Sequence, residues 1–466
     1  MADQFDLVVI GGGPGGYGAA LYATSAGLNV AVVEKDAVGG TCLNRGCIPA
    51  KAYLESAAVQ RHVAHAADFG IESSAPSVNF GTVQARKQKI VDGIVKSLTG
   101  FMKSKKITIL SGVGSLGPNR TVTVQHPDGS SSTVQGTNVL LAAGSVPRVI
   151  PGFEPGGAVM TSDEVLMLQS LPARVAVIGG GAIGCEFASM MSDLGTKVTI
   201  LEALPQILPG CDEDITRVVL RSFKDRDIDV RTGVAVKGHD LQFTGGTTVS
   251  FGEGETITVD MVVVSVGRRP CSEGLGLDGT AVQVSDRGHV VVDEQCRTAE
   301  PGVWAVGDLI ATPALAHIGF AEGMLAIRDL LGEDPTPIDY SKVPWCIYCH
   351  PEVSFVGHSE ASAKDAGFDV VVSKHRFSGN GRALILGEPE GMVKVIAEKN
   401  ADGTGGRLLG VHMVGPWVTE QLGQAYLAVN WDAQVDDVAA LIQPHPTLSE
   451  LFGESVLALT GRSLHG

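Results

Sequence analysis

Short apolar runs, separated by glycine-rich turns and alanine-rich amphipathic stretches, set the pattern of the first half of the chain. The clearest case is DLVVIGGGPGGYGAALYATSAGLNVAVVE, which ends at Glu34. Its opening run reads as a strand buried on both faces, its glycines as a tight turn, and its alanine-rich stretch as a helix closing at Gly27. A second apolar strand then stops at an acid. The pattern returns in RVAVIGGGAIGCEFASMMSDLGTKVTILE, which closes its helix at Gly195 and ends at Glu202, each element 168 positions further along. Two similar βαβ units, and with them an α/β chain of doubly wound parallel sheets, are predicted. Apolar runs between Phe355 and Met413, followed by the helical stretch QLGQAYLAVN, predict a strand-rich α+β region near the C-terminal end.

Composition bounds what such a chain does. Its 466 residues exceed one ordinary core and point to about three domains. With 44% hydrophobic and 18% charged residues it buries substantial cores. Lys and Arg total 35 against 51 Asp and Glu, a net charge of −16 that argues against binding nucleic acid or anionic membranes. The uncharged stretch from Leu7 to Val33 has the length of a bilayer span, but GGGPGGYG interrupts it. No basic leader precedes it, so a cytoplasmic location is expected. Eight cysteines in so long a chain are not a disulfide framework, and any lasting disulfide is expected to be catalytic.

The glycines carry the first chemistry. Gly11, Gly13 and Gly16 match GxGxxG, as do Gly179, Gly181 and Gly184. The first glycine of each set makes the turn, the second lets backbone approach a pyrophosphate, and the third lets helix pack on strand. The helix N-terminus then offers unpaired N–H groups to the phosphates. Glu34 and Glu202 stand where an acid accepts hydrogen bonds from ribose hydroxyls. A carboxylate at 202 also repels the extra phosphate of NADP, so the second site is expected to prefer NAD. The fingerprint alone does not say which site holds a flavin.

Next comes GGTCLNRGCIPAK, residues 39–51. Cys42 and Cys47 are separated by four residues at a glycine-rich entry to a predicted helix, a spacing that suits a small disulfide loop and a lowered thiol pKa. It does not suit a zinc knuckle, and no metal is expected. Lys51 falls one helical turn beyond Cys47, which puts a cation on the same face.

This segment resembles the redox-active disulfide of the FAD-dependent pyridine nucleotide-disulfide oxidoreductases, and within that family it is similar to the members that oxidise dihydrolipoamide. LAAGSVPR at 141–148, GRRP at 267–270, VWAVGDL at 303–309, ALAH at 314–317, PEVSFVGHSE at 351–360 and HPTLSE at 445–450 extend the resemblance over nearly the whole chain. It implies an FAD-binding domain over 1–151, an NAD-binding domain over 152–270, a central segment over 271–343 completing the FAD site, and a dimerisation domain over 344–466.

By the same resemblance Cys47 is the flavin-proximal thiol and Cys42 the thiol that exchanges with substrate, while Lys51 pairs with Glu186 near the flavin. Asp308 matches the acid that bonds the flavin ribityl chain, and Gly114, Ala143, Gly144 and Ser145 match further FAD contacts. Ala314, Leu315, Ala316 and His317 join the FAD-binding set, and Gly267 matches an NAD contact. Ala143 departs from the threonine of many relatives, with loss of one hydroxyl.

His445 and Glu450 match the acid–base pair, which in the family reaches the disulfide of the other subunit. Two prolines, Pro444 and Pro446, fix the backbone around His445, and the carboxylate orients its imidazole. The implied reaction is oxidation of protein-bound dihydrolipoamide to lipoamide with reduction of NAD. The implied partners are a second copy of the chain and a lipoyl-bearing acyltransferase or glycine cleavage carrier protein. A glutathione reductase-like disulfide reductase and a non-catalytic flavoprotein scaffold are the alternatives. Cys346 and Cys349, in WCIYC, read as two unlinked thiols on opposite faces of a strand.

Overall fold

A computed structural model describes residues 3–72, 74, 77–241 and 245–465. The first βαβ unit forms as the pattern requires. Strand Asp3–Ile10 leads into helix α1 (Pro14–Ser25) and on to strand Val30–Glu34, which lies parallel to the first with Val8 opposite Ala31. Leu7, Val8, Val9 and Ala31 are fully buried, as in parallel strands covered on both faces, and Gly114 of a later strand lies against Ile10 and Val33. Each valine so buried contributes about 1.5–3 kcal/mol.

The sheet then grows on both sides. Thr108–Ser111 and Ser131–Leu141 add as parallel strands, and Thr121–Gln125 and Val113–Leu116 follow as antiparallel ones. The chain leaves, and returns much later to lay Val303–Ala305 parallel to Ser131–Leu141. That return brings helix α7 (Ala316–Leu330) against α1.

Between the two visits lies a second sheet. Its five parallel strands run in the order Asp229–Arg231, Lys197–Leu201, Arg174–Ile178, Met261–Val264 and Val159–Thr161. Helix α5 (Ala182–Asp193) is the crossover of its βαβ unit, and helix α6 (Glu213–Asp225) follows its second strand. A small antiparallel sheet, Val236–Leu241, Thr247–Phe251 and Glu255–Val259, is attached.

Three helices in the first region connect the two sheets: α2 (Gly40–Arg45), α3 (Cys47–Ala64) and α4 (Phe80–Ser104), the last capped by the Asn79 side chain accepting from the Thr82 amide. Helix α3 packs on α5, so the GGTCLNRGCIPAK segment lies between the two βαβ units. No helix among the described residues is long and apolar enough to cross a membrane.

The last region is a five-stranded antiparallel sheet in the order Trp345–Ile347, Glu352–Gly357, Gly405–Gly415, Met392–Lys399, Val370–Arg376. Helices α8 (Val418–Asn430) and α9 (Glu450–Ala458) pack on it. The strand expected through WCIYC stops at Ile347, since Tyr348 gives its N–H to Glu186 rather than to a neighbouring strand. Cys346 is therefore in a strand and Cys349 beyond it.

Candidate functional site

The two glycine fingerprints repeat in three dimensions as well as in sequence. Gly11 and Gly179 have φ of +109° and +105°, the left-handed region where a side chain is strained. A Cβ on Gly16 would sit 1.9 Å from the Gly11 carbonyl oxygen, and one on Gly184 would sit 1.9 Å from that of Gly179. These third glycines lie beneath the cleft, where they let the helices start close under the strands.

Both acids are fixed from two sides. The Gly12 and Asp36 amides donate to the Glu34 carboxylate at 2.7 and 2.8 Å. Those of Gly180 and Leu204 donate to Glu202 at 2.5 and 2.7 Å. Each carboxylate thus braces its own glycine turn and still faces the cleft.

One cleft of about 1160 Å³ runs between the fingerprints and is lined by Gly11, Gly13, Glu34, Gly179, Gly181 and Glu202. Cys42, Cys47, Lys51 and Glu186 line its middle, and Gly114, Ala143 and Gly144 its first half. Gly267 and Ala314, Leu315 and Ala316, at the start of α7, line it too. Ser145 and Asp308 meet there: the Ser145 hydroxyl donates to Asp308 at 2.6 Å. His317, expected in this set, instead places Nε2 2.9 Å from the Pro344 carbonyl oxygen and does not line the cleft.

At the centre, Cys47 is the first residue of α3 and Cys42 lies on α2, both as free thiols. A hydrogen bond from the Cys42 thiol stabilises a Cys47 thiolate and, with Lys51 nearby, pulls Cys47 down to about 7 against the opposing effect of burial. The same bond and burial push Cys42 up. One sulfur of the pair is therefore set to carry the charge while the other keeps its proton. Lys51 Nζ donates to both oxygens of Glu186 at 2.8 Å, and the Tyr348 amide donates to Glu186 at 2.9 Å. Lys51 also lies 4.8 Å from the centre of the Tyr348 ring. Glu186 is buried, and removing one partner of such a pair costs about 3–5 kcal/mol.

The pair at the far end of the sequence is intact but stands apart from this cleft. His445 Nδ1 is 2.8 Å from Glu450 Oε2, and the Asn380 amide donates to the other carboxylate oxygen at 3.2 Å. With Nδ1 bonded to the acid, Nε2 is left as the proton acceptor. The His445 side chain is 75% exposed and that of Glu450 only 10%.

Sequence reasoning missed Arg268 and Asn380. Arg268 donates to the Ser145 hydroxyl at 2.6 Å and pairs with Asp308 at 3.4 Å, so a serine, an acid and an arginine from three distant segments face the cleft together. The signal was present in GRRP, where the arginine stands beside Gly267. Cys346 and Cys349 have separate acceptors, Thr419 and Pro351 carbonyl oxygens. Burial pushes Cys346 up to about 11, which keeps its thiol protonated.

Comparisons with known proteins agree with this architecture. Residues 5–323 match the family model described as pyridine nucleotide-disulphide oxidoreductase, and residues 343–456 match the dimerisation domain of the same family. The chain is 41% identical to a dihydrolipoyl dehydrogenase of Bacillus subtilis (strain 168) over the full length of both proteins. It is 35% identical to one from Geobacillus stearothermophilus, over 100% of this chain and 98% of the relative. Among solved structures it resembles LpdA from Mycobacterium tuberculosis, with a TM-score of 0.91, 25% identity and coverage of 98% and 100%. It also resembles an HOCl-induced flavoprotein disulfide reductase from Escherichia coli, with a TM-score of 0.87, 26% identity and coverage of 97% and 99%. With paired thiols set between two dinucleotide-type βαβ units and a dimerisation domain beyond them, the chain belongs to the FAD- and NAD-dependent pyridine nucleotide-disulphide oxidoreductase family.

Proposed function

We propose that the chain oxidises dihydrolipoamide to lipoamide and reduces NAD, using Cys42 and Cys47 as its redox dithiol. The observation that carries this reading is the unequal thiol pair inside a cleft shared by both fingerprints, in a chain whose full-length relatives are dihydrolipoyl dehydrogenases. FAD would be held along Gly11, Gly13, Gly16, Glu34, Gly114, Ala143, Gly144, Ser145 and Asp308, with NAD along Gly179, Gly181, Gly184, Glu202 and Gly267. The fit rests on Gly13 and Gly181, which line the cleft at the two helix starts, and on the tight turns closed beneath them by Gly16 and Gly184, where a Cβ would strike the Gly11 or Gly179 carbonyl oxygen. When bound, FAD supplies the two-electron relay between the dithiol and NAD.

The protein's own residues do the thiol chemistry. In the oxidised pair the two sulfurs are joined. His445 of the partner subunit takes a proton from one substrate thiol, whose thiolate attacks Cys42 Sγ and releases Cys47 as thiolate. The second substrate thiol then attacks the mixed disulfide, closes the lipoamide ring, and leaves Cys42 as a thiol. Substrate loses two electrons and two protons, and the cysteine pair gains the electrons. A thiol of ordinary pKa near 8.5 is mostly protonated at neutral pH, so the base is needed.

A homodimer follows from this assignment. Leu441 and Ile442, 62% and 97% exposed beside His445, form an apolar surface for the second copy to cover. A lipoyl-bearing acyltransferase or the glycine cleavage carrier protein would present the substrate in the cytoplasm. The proposed division into FAD, NAD, central and dimerisation segments follows residues 1–151, 152–270, 271–343 and 344–466.

Purified protein assayed with dihydrolipoamide and NAD is expected to turn over, and His445→Gln is expected to lower kcat by about 10²–10⁴-fold. Mixed dimers of His445→Gln and Cys42→Ser subunits should recover about half of the parent activity, since only one of their two sites contains both lesions. Turnover with glutathione disulfide and NADPH in place of dihydrolipoamide and NAD would overturn the substrate assignment. Mixed dimers no more active than the two mutant homodimers would overturn the shared site.

A further inference from the structure

Helices α3 and α5 are joined at two points. Near their starts, Lys51 pairs with Glu186. Further along, Arg61 pairs with Asp193, ten residues beyond Lys51 on α3 and seven beyond Glu186 on α5. At 1.5 Å per residue these points are about 15 Å apart along one helix and about 10 Å along the other. The contact is therefore fixed in angle as well as in position.

Asp193 is shared. Its other oxygen accepts from Arg226 at 2.6 Å, and Arg226 also donates to the Ser189 carbonyl at 2.9 Å and the His350 carbonyl at 2.7 Å. The His350 amide returns to the Ser189 hydroxyl at 2.9 Å. Two residues before His350, the Tyr348 amide donates to Glu186. The bonds thus close a circuit: Lys51, Glu186, Tyr348, His350, Arg226, Asp193, Arg61 and back along α3 to Lys51. Ser189 is fully buried and the Asp193 side chain is 5% exposed, so water does not substitute for these partners.

We propose that Asp193 is a positioning residue, clamped by Arg61 and Arg226 so that α5 holds Glu186 against Lys51 and thereby sets the charge facing Cys47. The inference rests on the redox role given above to Cys47. The mechanism of transmission is geometric. Lys51 is fixed to Cys47 by the turn of α3 they share, whereas Glu186 is carried on α5 and meets them across the helix contact through its bonds to Lys51 and the Tyr348 amide. Releasing Asp193 lets Glu186 withdraw while Lys51 stays. The groups facing Cys47 are Cys42 from α2, Lys51 from its own helix, Glu186 from α5 and Tyr17 from α1. Of these, only Glu186 is carried on the helix that Asp193 anchors.

The test is a pH titration of thiolate absorbance in the ultraviolet, made on the reduced full-length protein with and without Asp193→Asn. Both proteins carry Cys271→Ser, which removes a further partly exposed thiol; Cys185, Cys211, Cys296, Cys346 and Cys349 are all pushed up by burial, and Cys42 is pushed up by its bond to Cys47, so absorbance appearing near neutral pH reports Cys47. Withdrawal of a negative charge favours the thiolate, so the midpoint should fall by about half a pH unit. Arg61→Gln, which removes a less buried partner, should move it in the same direction, and Arg61→Lys should restore it. A midpoint that stays or rises in folded Asp193→Asn or Arg61→Gln protein overturns the proposal. The titration needs no substrate, so a parent enzyme inactive with dihydrolipoamide would overturn the functional reading and leave this test standing.

Discussion

The two βαβ units share a sequence pattern, a backbone conformation and the bracing of their acids, yet their helices are covered in opposite ways. Helix α1 meets α7 through glycines. A Cβ on Gly323 would approach the Gly15 carbonyl oxygen to 2.7 Å, and one on Gly18 would approach the Phe320 ring to 2.6 Å. Among the described residues, no hydrogen bond or ion pair joins the side chains of these two helices. Helix α5 meets α3 through Lys51–Glu186 and Arg61–Asp193. A dry glycine contact holds one unit at fixed distance, whereas an ion-paired contact passes charge from one helix to the next. The same binding unit has been used once as a rigid floor and once as a sensor of the dithiol.

The largest expected effects come from breaking the units separately. Gly16→Ala should yield protein without bound flavin, because the new methyl collides with the Gly11 carbonyl. Gly184→Ala should keep its flavin absorbance but lose NAD-linked turnover by about 10²-fold, the scale of a misplaced reactant. The reverse pattern would exchange the two assignments.

A smaller effect separates the two acids. The parent should use NAD at least about tenfold better than NADP, equivalent to about 1.4 kcal/mol. Glu202→Arg should narrow that ratio in steady-state assays, and Glu34→Arg should leave it unchanged. Equal use of both nucleotides by the parent would remove the role given to Glu202.

The smallest effect isolates the dry contact. Gly323→Ala should cost about 1–3 kcal/mol of stability by overpacking, read by denaturant unfolding, with no change in the Cys47 titration. A shifted midpoint would show that α1 also reports to the dithiol.

What the sequence made legible follows from how each feature is encoded. The βαβ units, their glycines and the Cys42–Cys47 loop are written in contiguous residues, where spacing alone fixes geometry. His445 and Glu450 are five apart and meet across one turn. The β-rich third region and helix α8 were visible as apolar runs. Arg268 with Ser145 and Asp308, and Asp193 with Arg61 and Arg226, join segments more than thirty residues apart, and in two of the four pairs more than a hundred. No local period marks such partners. His317 was grouped with the cleft by motif membership, and the bond of its ring to the Pro344 carbonyl is another distant partner that no motif announces.

The unequal thiols also determine how many protons travel with the electrons. Below about pH 7 the reduced pair holds two protons for two electrons, and above it, with Cys47 ionised, only one. Its potential therefore falls by about 59 mV per pH unit on the acid side and about 30 mV on the alkaline side. Nicotinamide takes up two electrons and one proton, a slope of about 30 mV throughout. Above neutrality the two couples move in parallel and the drive from dithiol to NAD is insensitive to pH. Below it each unit of acidity sets electron delivery back about tenfold in equilibrium constant, a brake on NADH formation contained in one hydrogen bond between two sulfurs.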